Sequence, residues 1–269
     1  MLPSTDWTRA ADPARRIGHG VEAHATIGST NDRAREVLRA SGTDGLAIVA
    51  EHQDAGRGRR GRTWVSPPGV NLMVSVAIWP RLEPARAGLL GLAAALAVRD
   101  ACAELVPDAR LGVRWPNDVV TPEGLKVAGL LLETTLAEDR LADAVIGTGI
   151  NVNWPRAEMP DEIAGRATSL AELAGEPVDR VALLAALLNR LDAEIAALED
   201  GASPVARLRE ASVLDGRAVV VEVGEETVEG VAAGVGDDGA LLLDTPAGRL
   251  GLSVGEVVVV RDVPVEAGA

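Results

Sequence analysis

The 269-residue chain is poor in several residue types, and each shortage narrows what the protein can be. Cys102 is the single cysteine, so no disulfide can form within the chain, and a cytoplasmic location is expected. No run reaches the roughly 18 uninterrupted apolar residues of a membrane span. Residues 88–98 come closest, and Arg86 and Arg99 flank them. The first residues also lack the basic-then-apolar pattern of a secretion signal.

Phenylalanine and tyrosine are absent, which leaves five tryptophans as the aromatic residues. Lysine is almost absent as well, because only Lys126 among the 26 basic residues is a lysine. A salt-rich cytoplasm and a genome rich in arginine codons would each produce this bias, and the sequence does not separate them. With either origin, arginine has taken every tolerant position, so Lys126 marks a position with a special requirement.

Several kinds of functional site are also missing from the sequence. The net charge of −14 argues against a general nucleic-acid binder, which would carry a basic surface. His19, His24, His52 and Cys102 do not follow the spacing of a metal site. The nucleophile pattern G-x-S-x-G does not occur.

The apolar patterns that are present predict a mixed α and β region followed by a β-only region. Helices are predicted over three segments: 29–41, 83–105 and 179–200. Strands are predicted over five segments: 45–53, 71–80, 111–118, 125–136 and 141–154. After residue 211, five short β segments separated by glycine-containing turns predict a small barrel.

The segment AGRGRRGRTW, residues 55–64, concentrates positive charge in an acidic chain. Its glycines allow the backbone to approach a ligand, and its arginines bind phosphate or carboxylate in a bidentate way. The segment therefore predicts an anionic ligand, and the alternative is a solvated surface loop. Residues 56–63 nearly fit a P-loop, but Arg62 replaces its lysine, and Pro67 and Pro68 follow where a helix should begin. We therefore reject the P-loop.

Three further polar features could belong to a site. The predicted strand LGVRWPND stops at Pro116, so Asn117 and Asp118 lie at a strand end, although a simple turn has the same composition. Lys126 begins the apolar run LKVAGLLLE, where its burial is costly unless it meets an anion; the alternative is a lysine whose ammonium reaches solvent. GTGINVN, residues 147–153, ends a predicted strand in Asn151 and Asn153, which is a weak indication alone.

In this order, these pieces resemble the biotin protein ligase family. The matching segments are GSTNDRA (28–34), EHQDAGRGRRGRTWVSPPGVNLMVSV (51–76), RWPNDV (114–119), LKVAGLLLE (125–133) and GTGINVN (147–153). The resemblance implies an α+β fold, with a mixed-sheet catalytic domain of the biotin/lipoate ligase type at 21–205 and a small SH3-like β-barrel at 212–262. Residues 1–20 match nothing in the family and are predicted to be an irregular lead-in.

The resemblance also implies a reaction in two steps. Biotin and ATP, accompanied by Mg²⁺, give biotinyl-5′-AMP and pyrophosphate, and a lysine of a biotin carboxyl carrier protein domain then displaces AMP. Family members are often dimers, so a homodimer is expected. Residues 1–20 are too few for the helix-turn-helix domain of the bifunctional members, so no DNA binding is expected.

Two other functions compete with this interpretation. A lipoate ligase or octanoyltransferase shares the catalytic fold, but its pattern R-R-x-S-G-G-G is absent here. A non-catalytic, arginine-rich nucleic-acid-binding module would bind without ATP, and its binding would fall steeply with salt. The net charge and the confinement of the basic run to one loop disfavour that module.

The family's site residues carry over onto matching positions of this sequence. The resemblance implies biotin contacts by Ser29, Thr30, Asn31, Gln53, Arg57, Gly58, Arg59, Lys126 and Gly129. It implies ATP or adenylate contacts by Arg57, Arg59, Arg62, Trp64, Asn117, Lys126 and Asn151. It gives catalytic roles to Lys126, Arg59 and Asp118. No dedicated protein site for a metal is implied; Mg²⁺ arrives with ATP, near Asp118.

Overall fold

The structure is a computed structural model of the chain, and it describes residues 5–137 and 140–261. Within these ranges, one sheet has seven strands in the order β1-β2-β3-β7-β6-β5-β4. Its strands are β1 Val21–His24, β2 Ala47–Ala50, β3 Leu72–Ile78, β4 Gly112–Arg114, β5 Asp118–Val120, β6 Lys126–Ala137 and β7 Arg140–Ile150. The β1–β2 pair is parallel and the other pairs are antiparallel, so the sheet is mixed as predicted.

Helices cover both faces of this sheet. Their bounds are α1 Thr30–Ser41, α2 Ala87–Leu105, α3 Asp161–Ala164, α4 Leu170–Ala174, α5 Arg180–Glu199 and α6 Val205–Ala211. The apolar side of α1 packs on one face, where Val37 and Leu38 join Ile48 and Ala77 in a small cluster. Helices α2 and α5 pack on the opposite face and contribute many residues to the main core. Because side chains alternate along a strand, neighbouring residues of β3, β6 and β7 serve different faces.

The hairpin of β6 and β7 shows how this alternation prepares a site. Leu130 belongs to the main core on the α2 face, whereas the Glu133 side chain reaches Asn31 of α1 on the other face. Gly129 and Gly149 are paired partners in the hairpin. The face toward α1 therefore carries two adjacent positions without side chains, at the end of the sheet where Lys126 begins β6.

A second, antiparallel sheet follows in the chain, with the described strands in the order β11-β10-β9-β8-β12. They are β8 Ala218–Val223, β9 Glu226–Val235, β10 Leu241–Thr245, β11 Gly248–Leu252 and β12 Glu256–Arg261. These are the five β segments predicted after residue 211. The sheet rests against the first one: the Trp115 indole donates a hydrogen bond of 3.1 Å to the Gly239 carbonyl. The α+β fold is confirmed.

The structure differs from the predicted elements where segments are short. The strand predicted in 111–118 to stop at Pro116 ends at Arg114, and Asp118 begins a separate strand, β5, that was not predicted. The turn between them contains the cis Trp115–Pro116 peptide. Proline cannot donate to a strand ladder, which explains the break. The last predicted strand of the mixed region ends at Ile150 rather than at 154. Strand β1 and helices α3, α4 and α6 were not predicted.

The segment before β1 packs against the sheet. Its described residues, from position 5 on, include a 3-10 turn, Trp7–Ala10, and Trp7 is buried in the main core. The Trp7 indole donates to Glu51 at 3.0 Å, and the Arg180 guanidinium lies 5.0 Å from the indole centroid. Cys102 is fully buried in α2, and burial raises the pKa of its thiol to about 12. No helix within the described ranges has the length and apolar character needed to cross a membrane.

Candidate active site

Two adjoining cavities lie at the end of the sheet where Lys126 begins β6. The first cavity is small and lies between the start of α1, the segment 53–64 and the strands β6 and β7. Its walls include Ser29, Thr30, Asn31, Gln53, Arg57, Gly58, Arg59, Trp64, Asn117, Lys126, Gly129 and Leu131. The second cavity is larger, and its walls include Gly58, Arg59, Arg62, Trp64, Arg114, Asn117, Asp118, Lys126, Asn151, Trp154, Arg166 and Glu256. Every predicted site residue therefore lines at least one of the two.

The start of α1 forms a compact polar end of the first cavity. Thr30 and Asn31 are buried there, and the Gln53 side-chain oxygen accepts a hydrogen bond of 2.8 Å from the Thr30 backbone N–H. Ser75 lies beneath them, with its hydroxyl oxygen 2.7 Å from Thr30 Oγ1 and 2.6 Å from Asn31 Oδ1. Such a fixed set of amides and hydroxyls suits a neutral ligand with several donors and acceptors.

Lys126 lies where the two cavities meet. Its Nζ is 2.6 Å from Asp118 Oδ1 and 5.6 Å from the centroid of the Trp64 ring. The other carboxylate oxygen of Asp118 accepts a hydrogen bond of 2.7 Å from Arg114. Burial would raise the pKa of Asp118, but Lys126 and Arg114 outweigh it and hold the pKa below its usual value. Asp118 is thus a fixed anion that positions the only lysine of the chain.

Two glycines make room for these groups. A Cβ on Gly149 would lie 2.4 Å from the Trp64 indole, and a Cβ on Gly129 would lie 2.6 Å from Lys126 Nζ. Both distances are shorter than non-bonded contact allows. Because Gly129 and Gly149 have no side chains, the backbone of β6 and β7 leaves room for the Lys126 ammonium and the Trp64 indole to pack against it.

The glycine–arginine loop, residues 55–64, contacts helix α1 and the turn between β4 and β5. Arg57 forms a two-armed ion pair with Asp32 of α1, with both N–O distances at 2.7 Å. Hydrogen bonding to this guanidinium lowers the pKa of Asp32. Arg59 donates to the Asn117 side chain at 3.0 Å, and burial lowers the pKa of Arg59 below its usual value. The loop therefore lies over the cavities.

The same loop is attached to the second sheet. Arg59 also donates to the Gly255 carbonyl at 3.0 Å. Arg60, which has a left-handed backbone at φ 57°, donates to the Gly224 carbonyl at 2.7 Å and pairs with Glu222 at 2.8 Å. Arg62 pairs with Glu256. These contacts make the second sheet part of the wall of the second cavity.

Positive charge exceeds negative charge in the second cavity. Its lining has five cationic side chains, Arg59, Arg62, Arg114, Lys126 and Arg166, against two carboxylates, Asp118 and Glu256. Arg166 makes no ion pair with any residue that the structure describes. The remaining wall includes Trp154 and Ile163, which suit a flat ring. A ligand with several negative charges and an apolar ring fits this lining.

The sequence did not reveal several of these residues. Ser75 lies inside an apolar strand, Trp154 is the last residue of the strand predicted at 141–154, and Arg166 lies in a segment for which no element was predicted. Glu222 and Glu256 belong to another sheet and more than 150 positions separate them from the arginines that they contact. Ser75 and Glu133 do lie within quoted motifs, in residues 51–76 and at the end of LKVAGLLLE, and those positions were the available signal.

The described residues that line the two cavities do not form a dedicated metal-binding site. No group of three or more His, Cys, Asp or Glu side chains is clustered for a metal in the described part of the chain. The two carboxylates of the second cavity are already paired with Lys126, Arg114 and Arg62. This lining fits a magnesium ion carried by the phosphates of its nucleotide, which is how Mg²⁺ commonly enters such sites.

Comparison with known families and proteins gives a consistent result. The Biotin/lipoate A/B protein ligase family matches residues 24–151, and the Biotin protein ligase C terminal domain matches residues 216–260. The first match contains the start of α1, the glycine–arginine loop, Lys126 and Asn151. The second match spans the second sheet, including Glu222 and Glu256.

Individual relatives cover nearly the whole chain. A biotin–[acetyl-CoA-carboxylase] ligase of Mycobacterium tuberculosis is 38% identical over 97% of this chain and 98% of the relative. A bifunctional ligase/repressor of Bacillus subtilis is 33% identical over 86% of this chain and 71% of the relative. The biotin protein ligase of Aquifex aeolicus, solved in complex with biotin and ATP, superposes with a TM-score of 0.76 at 30% identity, over 90% of this chain and 99% of that one. The chain belongs to the biotin protein ligase family.

Proposed function

We propose that the two cavities carry out the ATP-dependent attachment of biotin to a lysine of a biotin carboxyl carrier protein, through biotinyl-5′-AMP. The observation that carries this proposal is that a cavity with a neutral polar end, at the start of α1, meets a cationic cavity at Lys126. A carboxylic acid held in the first cavity and a nucleotide held in the second would bring their reacting groups together there.

The first cavity is assigned to biotin. Ser29, Thr30, Asn31 and Gln53 would bind the polar ring end, and Leu131 and Gly129 supply a floor for the apolar part of the molecule. The biotin carboxylate would then lie near Lys126 and Arg59. Arg57 and Gly58 would cover it from the loop.

The second cavity is assigned to ATP. Arg59, Arg62 and Lys126 would offset the negative charge of the phosphates, with Mg²⁺ neutralising further phosphate charge. Trp64 and Asn151 would contact the nucleotide on the side of the adenine. Asn117 and Asp118 act by fixing Arg59 and Lys126.

The charges at Lys126 suit the first step of the reaction. A carboxylate oxygen of biotin attacks the α-phosphorus, and the bond from that phosphorus to the pyrophosphate oxygen breaks. Two anions approach each other, so fixed cations are required, and negative charge grows on the α-phosphate oxygens. Holding both reactants at adjoining sites removes much of the remaining barrier.

The second step needs an amine from another protein. The neutral amine of an acceptor lysine attacks the acyl carbon of the mixed anhydride, loses a proton, and displaces AMP. The intermediate is open to hydrolysis, so a loop that covers it protects it until the acceptor arrives. The contacts of the glycine–arginine loop with both sheets support this role for the loop.

The proposal extends to the organisation of the protein. Residues 21–205 would act as the catalytic domain and residues 212–262 as a supporting SH3-like domain. The acidic net charge favours a protein acceptor over DNA, and the single buried cysteine suits the cytoplasm. A homodimer is proposed from the family resemblance, and sedimentation with and without biotin and ATP tests it.

Pyrophosphate release tests the proposed function. The purified protein is incubated with ATP and Mg²⁺ and with biotin, lipoate or octanoate in separate reactions. Of the three acids, only biotin should lead to pyrophosphate release. A carrier protein domain added to that reaction should gain one biotinyl group, and a domain whose acceptor lysine is replaced by arginine should gain none. Release with lipoate but not with biotin would instead identify a lipoate ligase.

A further inference from the structure

Glu133 lies on the site face of β6 but outside the residues assigned above. Its Oε2 accepts a hydrogen bond of 2.6 Å from Asn31 Nδ2 at the polar end of the first cavity. The same oxygen is 3.4 Å from Arg35 Nη2 of α1 and 3.6 Å from Arg57 Nη2 of the loop. One carboxylate thus joins the biotin end of the cavity, helix α1 and the covering loop.

The contact with Glu133 determines which way the Asn31 amide faces. A carboxylate only accepts hydrogen bonds, so the NH₂ group of Asn31 must be the group that turns toward Glu133. The amide oxygen is then directed to Ser75, whose hydroxyl oxygen lies 2.6 Å away. Asn31 is buried, so a reversed amide would place its oxygen against the carboxylate at a high cost. Glu133 thereby fixes the pattern of donors and acceptors that the cavity presents.

The contact with Arg57 connects this orientation to the loop. Arg57 pairs with Asp32, the residue next to Asn31 in α1, and its Nη2, one of the two nitrogens that contact Asp32, is also 3.6 Å from Glu133. The polar end of the cavity and the attachment of the loop therefore share one anionic group. A change at Glu133 should affect both, whereas Glu133 does not line the second cavity.

We propose that Glu133 is a positioning residue for biotin recognition, which acts by fixing the amide of Asn31; this assignment rests on the proposed function. Glu133 itself need not touch biotin. Its removal frees the Asn31 amide to rotate, and biotin then meets a mixture of correct and reversed polar groups. Recognition of ATP should be affected much less.

A double-mutant cycle tests this positioning role. Biotin affinity is measured by calorimetry for the wild type, Glu133→Ala, Asn31→Ala and the double variant. Each single change should weaken biotin binding about tenfold, as expected for a hydrogen bond to a charged group. The double variant should bind no more weakly than Asn31→Ala alone, because Glu133 acts through Asn31. In Glu133→Ala, the KM for biotin should rise and the KM for ATP should change less than twofold.

Two further variants separate positioning from loss of structure. Glu133→Gln keeps an acceptor for Asn31 and should recover most of the biotin affinity. Glu36→Ala removes an exposed carboxylate from α1, the helix that contains Asn31. Glu36 is 3.4 Å from Arg33 and does not line the cavity, so this variant should bind biotin like the wild type. If Glu133→Ala unfolds at too low a temperature for the calorimetric titration, the cycle is repeated with Glu133→Met, which keeps a similar side-chain length.

The outcomes distinguish this assignment from the function on which it rests. A wild type that binds biotin, together with additive losses in the cycle, overturns the role of Glu133 and leaves the proposed function standing. Equal rises in the KM for biotin and for ATP also overturn it. A wild type that does not bind biotin overturns the proposed function, and the role of Glu133 with it.

Discussion

At the scale of single residues, the structure gives a physical reason for the one lysine of the chain. The Lys126 ammonium is 2.6 Å from Asp118, and a Cβ on Gly129 would lie at the same distance from it. A compact ammonium on a flexible stem fits between these groups, whereas a planar guanidinium needs more width. The scarcity of lysine elsewhere pointed to this position before any contact was known.

We expect Lys126→Arg to reduce adenylate formation by about a hundredfold or more, as for loss of one preorganised donor at a reacting centre. The guanidinium cannot contact Asp118 and still reach the α-phosphate from the same position. Single-turnover measurement of biotinyl-5′-AMP gives the rate, and the melting temperature checks the fold. Wild-type turnover in this variant would refute the role of Lys126. Arg110→Lys, an exposed change outside both cavities, is the matched control.

Asp118 shows the limit of assigning residues from the sequence. The resemblance placed it near the phosphates and Mg²⁺. Its position at the end of a predicted strand was consistent with a residue that belongs to a functional site. Its partners Arg114 and Lys126 lie four and eight positions away in sequence, but their convergence depends on the pairing of β4, β5 and β6. Its direct role toward nucleotide stays a prediction.

At the scale of elements, long amphipathic or apolar segments were predictable and short ones were not. Helices α1, α2 and α5 and strands β2, β3, β6 and β7 carry enough apolar residues for their period to show. Strands β4 and β5 have three residues each, too few for a period, and their turn contains proline. Their position comes from pairing with β6, which is a property of the folded sheet.

The glycine–arginine loop is the element whose structure depends most on distant residues. Composition predicted its anionic ligand, but its attachment to the second sheet joins residues that are far apart in sequence. The left-handed backbone at Arg60 is strained for a residue with a side chain, by about 1 kcal/mol. The hydrogen bond to Gly224 and the ion pair with Glu222 offset that strain and keep the loop over the cavities.

We expect the double change Glu222→Gln and Glu256→Gln to speed release of biotinyl-5′-AMP several-fold, because it removes the ion pairs of Arg60 and Arg62. These pairs are partly exposed, so salt screens them. The wild-type release rate should therefore rise with salt toward that of the variant. Stopped-flow release measured between low and high salt checks this. Asp244→Asn, which breaks the exposed pair with Arg249 in the same sheet, should release like the wild type. Equal release rates for the wild type and the double variant at low salt would show that these two ion pairs do not hold the loop in place.

At the scale of the whole molecule, the composition and the chemistry of the proposed reaction fit together. The chain would make an intermediate that acylates amines, and lysine side chains are the usual protein amines. Lys126 is the only lysine, and its ammonium is held by Asp118 inside the site. Arginine supplies the positive charges of the surface without offering a nucleophilic amine, because its guanidinium stays protonated. Apart from the α-amino group, the protein therefore presents no free amine to its own product.

This composition predicts resistance to self-biotinylation. Wild-type protein incubated with biotin, ATP and Mg²⁺ without acceptor should gain almost no biotin on side chains, as measured by intact mass and peptide mapping. Arg166→Lys places a primary amine in the lining of the second cavity, and that position should become biotinylated. Arg249→Lys places one on the exposed strand β11, outside both cavities, and should be labelled more slowly, because the adenylate must first leave the site. Comparable labelling of the wild type and of Arg166→Lys, or labelling of Lys126, would show that the lysine-poor surface gives no protection, and would leave the arginine bias to its genomic or salt-related origin.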